Sequence, residues 1–592
     1  MWVLRKENSK SSTPVIFGPT PFQKSNLEFE KSIQPPELIE RLLLSRGIKG
    51  QFWTTLFEPK LSELKDPHVL KGMDLAVNRL VQALLNNEKI CLYADFDLDG
   101  TSGLALTKTA LENFGYNNIS FYQPRRLREG YGFHVEAVQE LAQLGVNVIV
   151  TIDVGITSHK ACQVAKELGI DVILTDHHLP SENLPVAYTI VNPNQGTCSS
   201  GLGYLCGAGV AFYLMRALRR ALVEKNINPK MTEKIKAWDL KEILDVFTIA
   251  TLTDMVPLIE DNRVLVKHGL MALKNTKRPG LQQLIKKLNF DGKDLTSSDV
   301  GIRIAPKLNA LSRMDSEILP IHIYIEKSSA DAEQLVEKMF DSNQDRLDLQ
   351  SFAETCAEEL LSHWTHNNFV FLYSDQFHRG VIGLVATKLA QSTNKPVFIG
   401  SLNSEGIIVG SSRQPDDSNT SLVEALFFCG TALNRSGGHY SAAGFELNVK
   451  NVEQFIVGLN RFYNLEGEKS IRTTEYDLEA QFSDVNENYL RWHYSMGPFG
   501  VGFPEPLYRF NRLRVESIKE LKGGHLKLFM VEESHQNHTA IEALCFSPKE
   551  KTKALIKENY YYDILGEVQK NSFRNKTTVQ ILVKDIVANE NK

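Results

Sequence analysis

Three aspartates at alternate positions, Asp95, Asp97 and Asp99, follow an apolar run and precede Gly100. Alternation where a strand runs out would place the three carboxylates on one face. Like charges a few ångströms apart repel one another strongly unless cations neutralise them. Because carboxylate oxygens suit hard divalent ions such as Mg²⁺ or Mn²⁺, the run predicts a metal site.

The same spacing also matches the start of a calcium loop of the D-x-D-x-D-G type. That loop lies between two helices and carries a Glu at its twelfth position. Here the preceding residues read as a β-strand, and the twelfth residue counted from Asp95 is Leu106. The sequence therefore favours an Mg²⁺ or Mn²⁺ site over a calcium loop.

A second candidate group consists of Asp176, His177 and His178. A lone histidine is usually structural, whereas two adjacent histidines after an acid at a strand end favour metal ligation. Imidazole combined with carboxylates favours Mn²⁺ or a similar ion. Asp254 lies within an apolar helical run, and its surroundings alone leave open whether it is a helix-surface residue or part of a polar site.

The elements that must position these residues are short apolar strands alternating with helices. The sequence predicts strands at 89–95, 119–123, 147–153 and 171–176, separated by helices at 101–114, 134–144 and 157–168. This alternation predicts a parallel sheet with helices on its faces. Asp95, Asp153 and Asp176 each stand at the carboxyl end of a strand, where open α/β sheets bind their ligands. We therefore expect one shared site.

The rest of the chain divides into regions around this sheet. Prolines interrupt residues 1–74, which are predicted to form a partly extended arm that packs on something larger. Residues 75–328 contain the sheet and a mainly helical part, and 329–365 predict a long charged helix between two domains. A second α/β pattern covers 366–464, and short alternating strands over 465–592 predict a small all-β barrel or sandwich.

Composition restricts the class of protein. The 592 residues are 42% hydrophobic and 23% charged, which supplies apolar material for several cores. No stretch approaches the roughly 20 apolar residues that span a membrane, and the first residues lack the apolar centre of a secretory signal. Seven cysteines without a Cys-x-x-Cys pair favour a reduced, cytoplasmic protein. The net charge of −5 argues against a protein that merely coats DNA, without excluding a nucleic-acid enzyme.

The motifs and their order resemble the DHH phosphoesterase superfamily, through residues 95–100, 151–156, 176–178 and 253–258. Further motifs resemble the RecJ family of single-strand-specific exonucleases, and these are 124–132, 205–211, 302–310, 378–383, 437–439 and 497–506. The similarity extends from about residue 75 to 510. Three positions depart from the family pattern: Tyr93, near which many DHH enzymes have a metal-binding His, Leu98, where Ala is usual, and Phe503, where Asn is usual.

The resemblance implies a parallel-sheet DHH domain, a connecting helix, a DHH-associated substrate-binding domain and an OB-like nucleic-acid-binding barrel. It implies a 5′-to-3′ exonuclease that degrades single-stranded DNA to 5′-mononucleotides during recombination and repair. It also implies a monomer without membrane attachment, working with a helicase and a single-strand-binding protein.

The resemblance further implies two divalent ions, Mn²⁺ or Mg²⁺, bridged by Asp153. One ion would be held by Asp95 and Asp97, and the other by Asp99, His177 and Asp254. His178 would then be free to contact the scissile phosphate. The implied catalytic residues are Asp97, Asp153 and His178.

Substrate contacts are expected along a path from the sheet edge into the second α/β domain and the barrel. Arg413 offers a bidentate fork for phosphate, and Gly437-Gly438 reads as a turn whose N–H groups can approach one. By resemblance this region holds the 5′ end. The expected contacts are Arg125, Arg126, Tyr131, Arg303, His378, Ser411, Arg413, Gly437, Gly438, His439, Arg509 and Arg512.

For several of these contacts a structural role stays open. Arg125, Arg126, Tyr131 and Arg303 also fit plain surface or packing positions. Residues 508–514 alternate cations with apolar residues, which predicts a strand with one basic face of the kind that oligonucleotide-binding barrels use. A solvated barrel strand would show the same alternation.

Two other functions are compatible with parts of the sequence. A DHH enzyme could act on very short oligonucleotides, cyclic dinucleotides or pyrophosphate, but a long connecting helix and an extra β domain serve no small substrate. An inactive replication scaffold is disfavoured because all six candidate ligands are present.

Overall fold

The structure is a computed structural model that describes residues 2–5, 34–415, 418–465, 474–532, 541–546, 548, 550–573 and 576–589. Two α/β domains, joined by one long helix, are followed along the chain by a barrel. None of the described helices combines the length and the apolar character needed to cross a bilayer.

The N-terminal region packs on the barrel. Its elements are β1 (Trp2–Leu4), α1 (Glu37–Ser45) and α2 (Trp53–Phe57). Strand β1 pairs in parallel with residues 474–476, and buried side chains of α1 join the hydrophobic core of the barrel. The described residues 34–72 of the arm expected over 1–74 are more helical than predicted, because amphipathic runs such as 37–45 bury one face. Extended residues such as Lys60 and Leu64 lie between the helical turns. Residues 6–33 lie outside the described part of the chain.

The first α/β domain contains a five-stranded parallel sheet. Its first elements are α3 (Met73–Leu85), β2 (Ile90–Ala94), α4 (Leu98–Asn113), β3 (Ile119–Tyr122), α5 (Val135–Gln143), β4 (Val148–Ile152), α6 (His159–Glu167), β5 (Asp171–Thr175) and β6 (Thr189–Val191). The strand order is β3-β2-β4-β5-β6. Side chains of β2 alternate between two cores, with Leu92 in one and Tyr93 in the other. Helices therefore cover both faces, and the predicted parallel sheet is confirmed.

The helical half of this domain follows β6. Its helices are α7 (Gly207–Lys225), α8 (Pro229–Ala237), α9 (Leu244–Thr253), α10 (Glu260–Lys274), α11 (Pro279–Lys287), α12 (Ser297–Asp299), α13 (Ala305–Arg313) and α14 (Pro320–Ile325). A π-helical turn, Val300–Ile304, precedes α13. Asp254 was expected inside a helix, but α9 ends one residue before it, because Met255 adopts φ 57° and Pro257 cannot continue a helix.

The connecting helix α15 (Ser329–Ser362) contains 34 residues and is about 50 Å long. It leads to the second α/β domain, which consists of β7 (Val370–Ser374), α16 (Ile382–Thr393), β8 (Val397–Leu402), β9 (Ile407–Arg413), α17 (Leu422–Phe428), β10 (Arg435–Gly438), β11 (Ala442–Asn448) and α18 (Val452–Leu465). The sheet order is β10-β11-β9-β8-β7, and only the β7–β8 pair is parallel.

The C-terminal domain is a closed barrel. Its elements are β12 (Thr474–Tyr476), β13 (Leu478–Glu479), α19 (Glu487–Met496), β14 (Leu507–Leu521), β15 (His525–Glu532), β16 (Ile541–Cys545), α20 (Glu550–Leu555), β17 (Tyr561–Phe573) and β18 (Lys576–Ala588). Strand β14 pairs with both β15 and β17, which closes the ring β14-β15-β16-β18-β17. The predicted fold class, two α/β domains followed by an all-β barrel, is confirmed.

Candidate active site

The acidic run turns from strand into helix. Strand β2 ends at Ala94, and Asp97 caps α4 by accepting hydrogen bonds from the N–H groups of Asp99 (2.9 Å) and Gly100 (3.0 Å). A Cβ on Gly100 would lie 2.5 Å from the carbonyl oxygen of Asp95, so only glycine fits this turn. The sequence predicted that the three acids share one face of a strand. They do not, because the chain turns into helix α4 at the cap Asp97.

The sheet ladder brings the strand ends level. Beyond the strands themselves, the N–H of Asp95 donates to Ile152, that of Asp153 to Thr175 and that of Asp176 to Val191. These bonds put the three acids at one edge of the sheet, as expected for the carboxyl ends of parallel strands. Asp153 has φ 63°, a left-handed conformation that is costly for a residue with a Cβ.

The first turn of α7 holds the carboxylate of Asp99. Its two oxygens accept hydrogen bonds from the N–H groups of Gly207 (2.6 Å) and Ala208 (2.8 Å). A Cβ on Gly207 would lie 2.4 Å from the Cβ of Asp153, so glycine lets the helix N-terminus approach both acids. Free N–H groups and the helix dipole stabilise a negative charge at this position.

Asp176 orients the two histidines. Its buried carboxylate accepts from the N–H groups of Ile156 (3.0 Å), His177 (2.8 Å) and His178 (3.1 Å), and one oxygen lies 2.8 Å from Nδ1 of His178. Burial alone would raise the pKa of Asp176, but these hydrogen bonds and the charge of His178 lower it. Both carboxylate oxygens of Asp176 therefore accept hydrogen bonds, and Asp176 serves to position the histidines.

Two asparagines hold the backbone of the same turn, since Asn192 donates to the carbonyl of His178 (2.9 Å) and Asn194 to that of His177 (2.5 Å). The sequence analysis missed both residues. The only indication was their position just after the next strand of the sheet, at 192 and 194.

The six candidate ligands converge in three overlapping groups. The donor atoms in each group all lie within 4.8 Å of one another, and the groups are Asp95, Asp97 and Asp153; Asp99, His177 and Asp254; and Asp153, His177 and His178. Asp153 thus belongs to one group with Asp95 and Asp97, and to another with the histidines.

The charges in this cluster are not balanced by the protein. Burial and the charge of Asp97 raise the pKa of Asp95, and burial together with Asp99 and Asp97 raises that of Asp153. Burial and the charges of Asp99 and Asp97 raise the pKa of Asp254 to about 9. One buried oxygen of each of Asp95, Asp153 and Asp254 has no hydrogen-bond partner. Such oxygens are costly without a cation.

These residues fit divalent metal ions. The unpaired carboxylate oxygens are ligands that Mg²⁺ and Mn²⁺ accept, and His177 adds an imidazole nitrogen. Burial lowers the pKa of His177 despite the charge of Asp99, which favours the neutral ring that a metal requires.

His178 has a different electrostatic character. Burial lowers its pKa, but the hydrogen bond and charge of Asp176 outweigh burial and raise the pKa to about 9. The hydroxyl of Tyr131 lies 3.4 Å from Nδ1 of His178, and the ring of His439 from the second α/β domain lies 6.3 Å from the His178 ring. A cationic imidazole at this position can contact a phosphate oxygen.

A group of arginines lies where the two α/β domains meet. Arg126 lies 5.0 Å from the ring of Phe96, Arg313 donates to the carbonyl of Gly380 (3.2 Å), and Arg413 donates to Ser411 Oγ (2.8 Å). All three residues are half-buried, and this partial burial lowers the pKa of each. The neighbouring arginine charges lower it further for Arg313 and Arg413. The charges of Asp97 and Asp95 raise the pKa of Arg126 in the opposite direction, although no ion pair within 4.0 Å joins these arginines to an acid among the described residues.

The sequence analysis missed Arg313, whose pKa is also lowered by Arg346 on α15. Arg346 donates to Asn343 Oδ1 (3.0 Å) and keeps a buried Nε without a partner. Both residues look like ordinary helix positions in sequence, at the end of α13 and within α15. Like charges brought together from separate elements form a candidate anion site that only the tertiary structure reveals.

The glycine pair beside this group is part of a strand. Gly437 and Gly438 belong to the edge strand β10, where they pair with Gly444 and Ala443, so the predicted turn is corrected. Antiparallel pairing with β11 extends this segment. A Cβ on Gly437 would meet no described atom within 4 Å, which leaves its backbone open to a ligand. Nearby, Nδ1 of His378 accepts from the N–H of Gly380 (3.1 Å).

Two of the other predicted contacts are used within the first α/β domain. Arg125 donates to the carbonyls of Ser316 (2.5 Å) and Glu317 (3.2 Å). Arg303 donates to the carbonyl of Leu288 (3.0 Å) and lies 4.2 Å from the ring of Phe290. Each guanidinium thus has a packing role of the kind that the sequence left open.

In the barrel strand that was predicted to be basic, neighbouring acids offset one arginine and a bulge interrupts the alternation. Arg509 pairs with Asp563 (2.8 Å) and Glu479 (3.3 Å), so nearby acids offset its charge. A bulge between Phe510 and Leu513 places Arg512 at φ 53° and breaks the predicted alternation.

The chain is similar to known proteins along most of its length. Three family models match: the DHH family N-terminal domain over residues 89–251, the DHHA1 domain over 366–464 and the RecJ OB domain over 476–585. The chain is 31% identical to the single-stranded-DNA-specific exonuclease RecJ of Escherichia coli, covering 93% of this chain and 96% of that protein. It is 30% identical to the RecJ of Bacillus subtilis, covering 93% of this chain and 68% of the relative.

Solved structures show the same relationship. A crystal structure of an exonuclease RecJ bound to manganese is 30% identical, with a TM-score of 0.56, covering 67% of this chain and 95% of that chain. A RecJ from Thermus thermophilus in complex with Mn²⁺ matches with a TM-score of 0.75 and 24% identity, covering 94% of this chain and 79% of that chain.

Proposed function

Because this chain belongs to the RecJ family of single-stranded-DNA-specific exonucleases, we propose that it degrades single-stranded DNA from the 5′ end to 5′-mononucleotides with two divalent metal ions. It is a metal-dependent nuclease that hydrolyses phosphodiester bonds. The observation that supports the two-ion mechanism is the overlap of the ligand groups: Asp153 links the group of Asp95 and Asp97 to His177, and His177 links it to the group of Asp99 and Asp254.

The six proposed ligands are five aspartates and one histidine. Asp95 and Asp97 would hold one Mn²⁺ or Mg²⁺ ion, Asp99, His177 and Asp254 the other, and Asp153 both. Bound ions would supply Lewis-acid polarisation of the phosphate and a water of lowered pKa.

The protein itself supplies orientation and charge around the scissile phosphate. The N-terminus of α7 fixes Asp99, and Asp176 fixes the His178 ring. His178, cationic below pH 9, would donate a hydrogen bond to a phosphate oxygen and so stabilise charge that develops there.

The 5′-to-3′ direction is supported by the arginine group between the two α/β domains. The charges of Arg126 and Arg413 lower the pKa of Arg313, so these three arginines lie close together. Arg413 donates to Ser411 Oγ, and Ser411 and Gly437 both pair with Gly444 of β11. A terminal phosphate carries more negative charge than an internal one, so this group would bind the 5′ phosphate best. Gly438, His378 and His439 would border the same pocket, with Tyr131 nearer the scissile bond.

We propose the following division of labour among the regions. Residues 75–328 would cleave, 366–464 would hold the 5′ end, 465–592 would bind the strand farther along, and helix 329–365 would set their spacing. Residues 1–74 would brace the barrel. Arg125, Arg303, Arg509 and Arg512 would contribute charge along the strand path in addition to their packing roles.

The family relationship also supports a cellular context, namely recombination and repair in the cytoplasm. The chain would act as a monomer beside a helicase and a single-strand-binding protein. All seven cysteines are unpaired in the structure, which agrees with a reducing compartment.

The test compares a long single strand labelled at its 5′ end with one labelled at its 3′ end, in the presence of Mn²⁺. We expect early release of labelled mononucleotide only from the 5′-labelled strand, and resistance of a blunt duplex. Asp153→Ala should remove the activity. Early release from the 3′ label would exclude the proposed direction, and faster cleavage of a dinucleotide would indicate a small-substrate enzyme.

A further inference from the structure

The link between α9 and α10, residues 254–259, carries a candidate metal ligand but gains little support from its own helices. The N–H of Asp254 completes α9 by donating to Ala250 (2.9 Å). The next residue, Met255, has the unfavourable φ of 57° and is 68% exposed. Asn262 donates to the carbonyl of Pro257 (3.1 Å). The direction of the Asp254 carboxylate therefore depends on what else packs against this link.

A loop of the barrel domain packs against it. We call residues 497–504 the barrel loop. The N–H of Leu258 donates to the carbonyl of Val501 at 2.7 Å. A Cβ on Gly500 would lie 2.8 Å from Leu258 Cδ1, and one on Gly502 would lie 3.1 Å from Ile259 Cγ2. The two glycines thus allow the barrel loop to touch the link directly.

The barrel loop is in turn held by Arg263, a buried residue on α10. Its guanidinium donates to the carbonyl of Pro498 (2.8 Å) and to that of Met496, and it lies 4.3 Å from the ring of Phe503. Arg46 lies 5.1 Å from the same ring. Phe503 is therefore contacted by two guanidinium groups, from Arg46 and Arg263.

We propose that the barrel loop is a positioning element for Asp254, which makes the barrel domain a structural part of the metal centre. Arg263 donates to the barrel loop, and Val501 of this loop accepts from the N–H of Leu258. Leu258 lies four residues after Asp254 in the same link. Groups that orient a metal ligand without touching the metal commonly change metal affinity by about 10- to 100-fold when they are altered. This inference rests on the proposed function only in assigning Asp254 to a metal ion.

The main variant is Gly502→Ala. Gly502 has φ 80°, and an added methyl group would push on Ile259 and Pro257. The matched control is Gly523→Ala in the turn between β14 and β15, where φ is 86° and the nearest described atoms to the methyl group, at 3.3 Å or more, belong to the His525 ring. Both variants carry the same backbone strain, but only the first displaces the link.

The measurement is calorimetric titration of the full chain with Mn²⁺. We expect Gly502→Ala to weaken one of two binding events about tenfold. Gly523→Ala should bind like wild type. Excess Mn²⁺ should restore kcat in Gly502→Ala, with KM for single-stranded DNA unchanged. Wild-type metal affinity in a folded Gly502→Ala would overturn the proposal.

A second pair of variants applies if Gly502→Ala does not fold. Lys267 lies one turn after Arg263 on α10 and donates to the carbonyls of Leu56 (3.3 Å), Phe57 (2.9 Å) and Ser495 (2.6 Å), without contacting the barrel loop. Arg263→Lys should weaken Mn²⁺ binding, whereas Lys267→Met should lower only the melting temperature. Equal effects of the two on metal affinity would reduce Arg263 to a general domain contact. Because titration requires no cleavage, failure of the nuclease assay would leave this test intact.

Discussion

Nε2 of His177 lies 3.2 Å from Oδ1 of Asp153. The same nitrogen lies 3.7 Å from Asp254 Oδ2 and 3.8 Å from Asp99 Oδ2. One imidazole nitrogen thus faces three carboxylates, which come from the residue after β4, the residue after α9 and the first turn of α4. At this point the two proposed ligand sets meet, and the behaviour of the cluster follows from the like charges gathered there.

Replacing Asp153 by Asn should stabilise the metal-free protein and abolish cleavage. The substitution removes one of several mutually repelling buried carboxylates, but it would also remove the ligand that we propose both ions share. We expect a higher melting temperature in chelator, a smaller gain on adding Mn²⁺ and a loss of activity of at least about 1,000-fold.

The control for this substitution is Asp171→Asn. Asp171 lies at the opposite end of the same sheet and pairs with Arg79 at 2.6 Å. This change should lower the melting temperature and preserve cleavage. A metal-free Asp153→Asn that melts below wild type would contradict the electrostatic explanation.

The stability of the metal-free protein should fall as pH rises. The folded-state pKa of Asp254 is raised to about 9 from an ordinary value of 3.8. Between these values the folded protein binds more protons than the unfolded chain, so the free energy of unfolding decreases with pH. Mn²⁺ replaces these protons and should bind more tightly at higher pH.

Urea unfolding in chelator at about pH 5.5 and about pH 8.5 measures this dependence. Asp254→Asn should show a shallower decline because it lacks the titrating group. Identical slopes for the variant and wild type would assign the pH dependence to other residues.

Arg313→Gln should weaken the binding of 5′-phosphorylated strands. A hydrogen bond to a charged group contributes about 1.5–3 kcal/mol, so we expect KM to rise about 10- to 100-fold. The effect should shrink for strands that begin with a 5′ hydroxyl, because these lack the phosphate that the arginine group would bind. Steady-state kinetics on the two substrates provides the measurement.

Arg220→Gln on α7 is the matched control, since this exposed arginine pairs with Asp66 (2.8 Å) on the surface. It should leave both KM values unchanged. The same loss of affinity for both 5′ ends in Arg313→Gln would place Arg313 away from the terminal phosphate.

Asp477→Asn should destabilise the contact between the N-terminal region and the barrel. The buried Asp477 carboxylate accepts hydrogen bonds from Arg5 (2.5 Å), Arg46 (2.9 and 3.0 Å) and the N–H of Leu507 (2.9 Å). Removing its charge leaves the Arg46 guanidinium buried without a counter-ion, which costs about 3–5 kcal/mol.

Chemical denaturation measures this loss, and Glu475→Gln is the control. Glu475 lies two residues away and pairs with the same Arg5 at 3.6 Å, but it is exposed. Surface pairs contribute at most about 1 kcal/mol, so this variant should be close to wild type. Equal losses in both variants would mean that burial of Asp477 is unimportant.

The sequence by itself determined the parallel sheet and the region of the metal centre. Strands such as β2 and β4 are continuous apolar runs, and parallel strands end at a common edge, so acids at those ends must lie near one another. The order of motifs then indicated the family, and alternating strands predicted a C-terminal barrel or sandwich, of which the pairing of β14 with both β15 and β17 shows the barrel.

Only the tertiary structure decided which groups act together at the centre. The division of the acids depends on the cap at Asp97, the left-handed Asp153 and the end of α9 before Asp254, none of which follows from residue spacing. The arginine group joins Arg126, Arg313 and Arg413, which are at least 100 residues apart along the chain, so no local sequence pattern indicates it. The contact between the barrel loop and the link at Leu258 likewise depends on how two domains pack, because a single backbone hydrogen bond and two glycines bring them together.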